Sequence, residues 1–138
     1  ALSGPNAPVQ GANKIAAVVS PQKLLEARSI VGQVYVDERI KDYILNVTLA
    51  TRDPSTVNLG DLKDMIAHGA SPRASIALNI AARAHAFLRH RGYVTPEDVK
   101  AVGPDVLRHR LIRTYEAEAE EITTDLIVRR IFDAVEVP

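Results

Sequence analysis

Through most of the chain, apolar residues recur at the three- and four-residue intervals that keep one face of an α-helix apolar. The runs are punctuated by Ser-Pro, Asp-Pro, Gly and Thr-Pro steps, which start or stop helices. Leu24, Ala27 and Val31 follow Ser20-Pro21 and predict a first helix that ends at Gly32, with Val34-Tyr35-Val36 as an extended connector. Asp37 is placed to cap a second helix, whose buried stripe is Ile40, Tyr43, Ile44 and Val47 and whose stop is Asp53-Pro54. Pro54 to Leu59 reads as a polar turn. Asp61 to Ala67 reads as a short helix capped by Asp61, with Leu62, Met65 and Ile66 inward.

The longest helical pattern opens at Gly69-Ala70-Ser71-Pro72-Arg73-Ala74-Ser75. Gly69 ends what precedes it, Ser71 is a good N-cap, and Pro72 suits the first helical position, where its missing N–H costs nothing. Carried to about His90, the winding puts Ile76, Ala77, Ile80, Ala81, Ala84, Phe87 and Leu88 on one apolar face. Ser75, Asn79, Ala82, Arg83, Ala86, Arg89 and His90 lie mostly opposite, and Arg73 falls on the apolar side. After Gly92, Tyr93-Val94 reads as extended, and Thr95-Pro96-Glu97-Asp98 as a capping-box start with Asp98 at N3. Gly103-Pro104 is expected to break that helix and begin another, with Arg108, His109 and Arg110 clustered at its end. Ile112 to Thr123 is expected to be a connector. Thr123 or Thr124 then caps a last helix with Leu126, Ile127, Ile131, Phe132 and Val135 as its apolar set.

Composition narrows the architecture. Two Phe, four Tyr and no Trp, beside abundant Ala, favour closely packed helices over a sheet sandwich. The prediction is an all-α domain, a small bundle of five or six helices over 15–138, preceded by a linker or expression remnant over 1–14 that holds Gly4, Pro5, Pro8 and Gly11. A start at Ala1 in place of Met suggests a fragment, and the absence of a signal-like stretch or an apolar span suggests a cytoplasmic protein with no membrane span. With no Cys there is no disulfide framework and no thiolate zinc site.

Net charge is zero but unevenly spread: residues 71–113 sum to +5 and residues 114–138 to −5. One reading is a domain whose halves neutralise each other; the other is a basic face aimed at phosphate. Arg73 is the residue for which the second reading is strongest. A guanidinium at the start of a helix lies beside unpaired backbone N–H groups and the positive end of the dipole, a combination that suits phosphate. The plainer alternative is an Arg paired with an internal carboxylate or reaching into solvent.

Three stretches then resemble a known family. Gly69-Ala70-Ser71-Pro72-Arg73-Ala74-Ser75 before an Ala-rich helix, Gly92 to Val102, and Val106-Leu107-Arg108-His109-Arg110-Leu111 together resemble the C-terminal helical lid of MoxR-type AAA+ ATPases. The likeness covers roughly Lys14 to Pro138. It implies that Arg73 is the sensor 2 residue reading the γ-phosphate of ATP from the lid, with Ser71 and Pro72 near the base and ribose. It implies too that Mg²⁺ is held by the ATPase core of the same protein. Further implied partners are neighbouring subunits of a ring, a hexamer in similar proteins, and von Willebrand factor A domain proteins. The implied role is chaperone-like maturation of client proteins.

The chain by itself lacks the chemistry of phosphoryl transfer. Gly4 to Lys14 imitates a phosphate loop, but six residues separate its glycines where four are needed, and two prolines remove donors. His68, His85, His90 and His109 are scattered and read as surface or interface residues, and no Ser has a His–Asp order behind it. The polypeptide alone is therefore expected to be inactive on ATP. The competing class is a free-standing helical protein- or DNA-binding module, in which the helices at Thr95 and Pro104 would imitate a helix-turn-helix. Neutral total charge and few aromatics argue against a nucleic-acid partner.

Overall fold

A computed structural model describes residues 14–138; the linker predicted over 1–14 lies, but for Lys14, outside them. Six helices make up the fold: α1 Pro21–Val31, α2 Glu38–Arg52, α3 Pro72–Leu88, α4 Pro96–Leu107, α5 Tyr115–Ala119 and α6 Thr124–Ala134. Two 3₁₀ turns, Pro54–Val57 and Gly60–Asp64, follow α2. A two-stranded antiparallel ribbon, β1 Ile66–His68 with β2 Ile112–Arg113, is the only sheet among the described residues. The domain is mostly α-helical, as expected.

Local chemistry explains most boundaries. The Ser20 hydroxyl accepts from the Lys23 N–H, the Asp37 carboxylate from the Arg39 N–H, and the Thr123 hydroxyl from the Leu126 N–H, so three helices start on side-chain caps. The core forms where α3 lies between α2 and α4, with α6 closing over α2 and α4. Tyr43, Leu62, Leu78, Leu107, Ile127 and Ile131 are its largest fully buried side chains. Tyr43 meets Phe132 edge-on at 6.5 Å between ring centroids. Its buried hydroxyl has no hydrogen-bond partner among the described residues. Burial first, then the Glu97 and Asp133 carboxylates, push that hydroxyl's pKa up to about 12.

Four expectations need correction. The buried face of α3 is Ala74, Leu78, Ala82 and Ala86, not the Ile76–Ile80–Phe87 face. Alanine at three of these four positions lets α2 and α4 approach closely. Next, Asp61 to Ala67 is not one helix: a 3₁₀ turn ends at Asp64, and Ile66 opens β1 opposite Arg113. Asp61 does not cap it but pairs with Arg130 of α6 at 2.6 and 3.1 Å.

Gly103-Pro104, third, does not break the chain, and α4 runs through it to Leu107. A Cβ at Gly103 would collide with the Phe132 ring, so this glycine marks the crossing of α4 with α6. Burial against α6 offsets the ladder bond that Pro104 removes. The expected connector over 112–123, finally, contains β2 and α5, the latter capped by Thr114, whose hydroxyl also donates to the Asp64 carbonyl at 2.8 Å.

Candidate functional site

The start of α3 sits on a platform built by the end of α2. Thr51 donates to the Thr48 carbonyl at 2.6 Å and accepts from the Ala70 N–H at 2.9 Å. Arg52 reaches the Ala70 carbonyl at 3.3 Å, and the Ser75 hydroxyl donates to Thr48 Oγ1 at 3.0 Å. Gly69 makes this approach possible, because a Cβ there would stand 2.5 Å from the Thr51 carbonyl oxygen and 2.7 Å from the Arg52 Cα. Thr48 and Thr51 are buried, so these bonds form where water competes little. The first turn of α3 is thereby held in place from behind, and its front is free.

Ser71, Pro72 and Arg73 form that front and are all exposed. Ser71 occupies the N-cap position with extended backbone, and its carbonyl accepts from the Ala74 N–H at 2.8 Å. Its hydroxyl makes no capping bond, contrary to the expectation for a Ser N-cap. No acidic residue stands in the first turn of α3. Arg73 has neither a hydrogen bond nor an ion pair among the described residues, and it is not at a buried edge. Of the plainer reading, the internal carboxylate is absent, and the side chain reaching into solvent is what the structure shows. An unpartnered guanidinium and a helix start without a side-chain cap share one exposed spot, an arrangement that suits an anion.

At the other end of α3 is a cluster whose partners the sequence did not announce. Asp98, fully buried on α4, accepts from Arg91 Nη2 at 2.6 Å and Nη1 at 2.8 Å, His85 at 2.6 Å, the Thr95 N–H at 2.7 Å and the Thr95 hydroxyl at 3.1 Å. Burial pushes this carboxyl up, but the Arg91 guanidinium, the Thr95 N–H and His85 outweigh it and hold it well below the usual carboxylate range. The capping-box spacing pointed to Thr95 and Asp98. That His85 of α3 and Arg91 join them depends on the turn between the helices, where His90 takes a left-handed φ of 59°. His85, its side chain 25% exposed, is thus a partner in this clasp and not a free surface residue.

Other singled-out residues are structural. Arg108 pairs with Asp105 at 3.0 Å and with Asp125 at 2.6 Å, tying the end of α4 to the start of α6, and Arg113 lies 3.7 Å from Glu118. The basic and acidic segments do meet locally, though exposed pairs such as these contribute little individually. Because α4 is unbroken and Arg108 is engaged, the helix-turn-helix reading loses its two helices and one of its cations. Among the described residues no group of three or more His, Asp or Glu side chains could hold a metal ion, and no helix is long and apolar enough to cross a membrane.

Comparison with known proteins places this geometry. Residues 61–131, which include Ser71 to Arg73, match the sequence model of the AAA lid domain. The chain is 42% identical over 121 residues to Chaperone MoxR1 of Mycobacterium tuberculosis, across 88% of this chain and 32% of that protein. It is 34% identical over 118 residues to Protein MoxR of Methylorubrum extorquens, across 81% and 34% respectively. A crystal structure of a candidate ATPase from Cytophaga hutchinsonii superimposes with a TM-score of 0.82 at 42% identity, covering 85% of this chain and 36% of that one. The chain spans about a third of the length of the curated relatives it matches.

Proposed function

This chain belongs to the AAA lid domains of the MoxR type, a family that implies use of nucleotide and Mg²⁺, and from that premise we propose that it closes over ATP. In this reading Arg73 meets the γ-phosphate while Ser71 and Pro72 lie near the base and ribose. The observation that carries it is the exposed, unpaired guanidinium on a helix start that Thr48, Thr51 and Arg52 hold from behind. Anchoring matters because a contact made by a loose arm would report nothing about where the rest of the domain stands. Here Arg73 and α3 move as one, so a phosphate that attracts the side chain orients the whole lid.

A charge-assisted contact of this kind contributes about 1.5–3 kcal/mol, which biases a closed-to-open ratio by roughly ten- to a hundred-fold. Loss of the γ-phosphate on hydrolysis removes the contact and lets the lid reopen. Mg²⁺ would be held by the ATPase core, since the described residues offer no carboxylate cluster for it. The name of the relative Chaperone MoxR1 supports a chaperone-like role; a homo-oligomeric ring of six, client maturation and von Willebrand factor A domain partners belong to the same proposal and rest on the family resemblance alone.

The test is Arg73→Ala in a full-length ATPase carrying this domain. ATP turnover should fall at least several-fold while circular dichroism keeps its helical signature, and unchanged turnover would refute the sensor role. The 138-residue chain by itself should bind Mg-ATP only weakly, and tight binding by calorimetry would overturn the division of labour between lid and core.

A further inference from the structure

The residues that open α3 do little to fix where it begins, since Ser71 makes no capping bond and Pro72 carries no N–H. The fixing comes through Ala70, one residue before the N-cap. Ala70 is fully buried, and its N–H makes one hydrogen bond among the described residues, to Thr51 Oγ1 at 2.9 Å. Thr51 is fully buried as well, and its own proton goes to the Thr48 carbonyl at 2.6 Å, which leaves a lone pair for Ala70. The two other links between α2 and this segment hold it less closely. Arg52 reaches the Ala70 carbonyl at 3.3 Å from an exposed side chain, where water can take its place. Ser75 meets Thr48 Oγ1 only further along α3.

Between Ala70 and Arg73 the backbone has little freedom. Ser71 is restricted to extended backbone because a proline follows it, and it adopts φ −77° and ψ 166°; the ring of Pro72 then fixes the next φ. A displacement at Ala70 therefore passes to Arg73 with little loss. We infer that Thr51 is a positioning residue for Arg73: its hydroxyl, and not merely the packing around it, sets the place from which the guanidinium reaches a phosphate. This inference rests on the phosphate-reading role of Arg73 and names what that role depends on within the lid. Being fully buried, Thr51 acts only through the backbone that it holds. Valine in its place keeps the shape and removes the acceptor, leaving a buried N–H without a partner. The 69–71 segment then relaxes toward water and takes the start of α3 with it.

The test is a double-mutant cycle in a full-length ATPase carrying this domain. Thr51→Val should lower ATP turnover by at least about three-fold, because small misplacements of a binding group are costly, while circular dichroism keeps its helical signature. Thr51→Ser keeps the hydroxyl and should stay within about two-fold of the parent. Added to Arg73→Ala, Thr51→Val should cost no further turnover, since no guanidinium is left to place. Ile131→Val, which trims a fully buried position on α6, controls for general destabilisation and should leave turnover unchanged. Full turnover in Thr51→Val overturns the inference, as does a loss in Thr51→Ser or Ile131→Val equal to that in Thr51→Val. So does an equal fold-loss from Thr51→Val with and without Arg73. The two readings fail differently: a silent Arg73→Ala refutes the phosphate contact and this inference with it, whereas an impaired Arg73→Ala beside a silent Thr51→Val refutes the positioning alone.

Discussion

The inner face of α3 carries Ala74, Leu78, Ala82 and Ala86, all fully buried, and the outer face carries Ile76, Ile80 and Leu88, all more than half exposed. On any transfer scale the outer set is the more apolar, since an isoleucine has several more carbons to remove from water than an alanine. Shape decides the matter inside: α3 is gripped by both α2 and α4, and alanine at three of the four inner positions lets the helices approach closely. The outer face bears no such constraint from within the domain. Its large aliphatic residues remain more than half exposed and contribute little to the fold. A single helix thus buries mainly alanines against its own domain and leaves its isoleucines exposed.

The largest expected way to break the inner side is to remove the clasp that joins α3 to α4. Asp98→Ala leaves Arg91 and His85 beside an empty acceptor position and should destabilise the domain by about 3–5 kcal/mol in urea denaturation. Acid sharpens this test. The folded pKa of Asp98 lies below its unfolded value, so the clasp contributes fully above pH about 4 and is lost as the pH falls further. The stability gap between the parent and Asp98→Ala should therefore narrow progressively below that pH; a gap that stays constant would show that the carboxylate is not what holds the clasp.

Ala82→Leu comes next, because extra carbons on the inner face must displace α2 or α4. A loss of about 1–3 kcal/mol is expected, and a neutral result would mean that the interior has room to spare. On the outer face, Ile80→Ser should change the stability of the 138-residue chain by less than about 0.5 kcal/mol. Arg73→Ala should be equally silent in folding while lowering turnover of the full-length ATPase. A large folding defect from either outer substitution would erase the contrast between the two faces.

Helix positions were readable because their causes are local. Ser20-Pro21, Asp37 and Thr123 each cap the helix they precede, and Asp53-Pro54 stops one. The Ser71-Pro72-Arg73 helix start was equally plain, but the winding put Arg73 on the apolar side, and its exposure followed only from which face of α3 the neighbouring helices cover. Where the sequence misled, a distant partner had intervened. Asp61 looked like a cap until Arg130, 69 residues away, claimed its carboxylate. Gly103-Pro104 looked like a break until Phe132 filled the space that the missing side chain leaves.

The sequence by itself determined that this is a helical domain, where five of its six helices begin, and which guanidinium stands at the start of the longest one. Those features follow from backbone geometry and from hydrogen bonds spanning three or four residues. Only the tertiary structure decided which face of α3 is the interior, because periodicity locates a helix's faces without saying which one its neighbours will cover. It also decided that His85, Arg91, Thr95 and Asp98 form one buried clasp, since the energy of burying a charge depends on donors brought together by the chain reversal between α3 and α4.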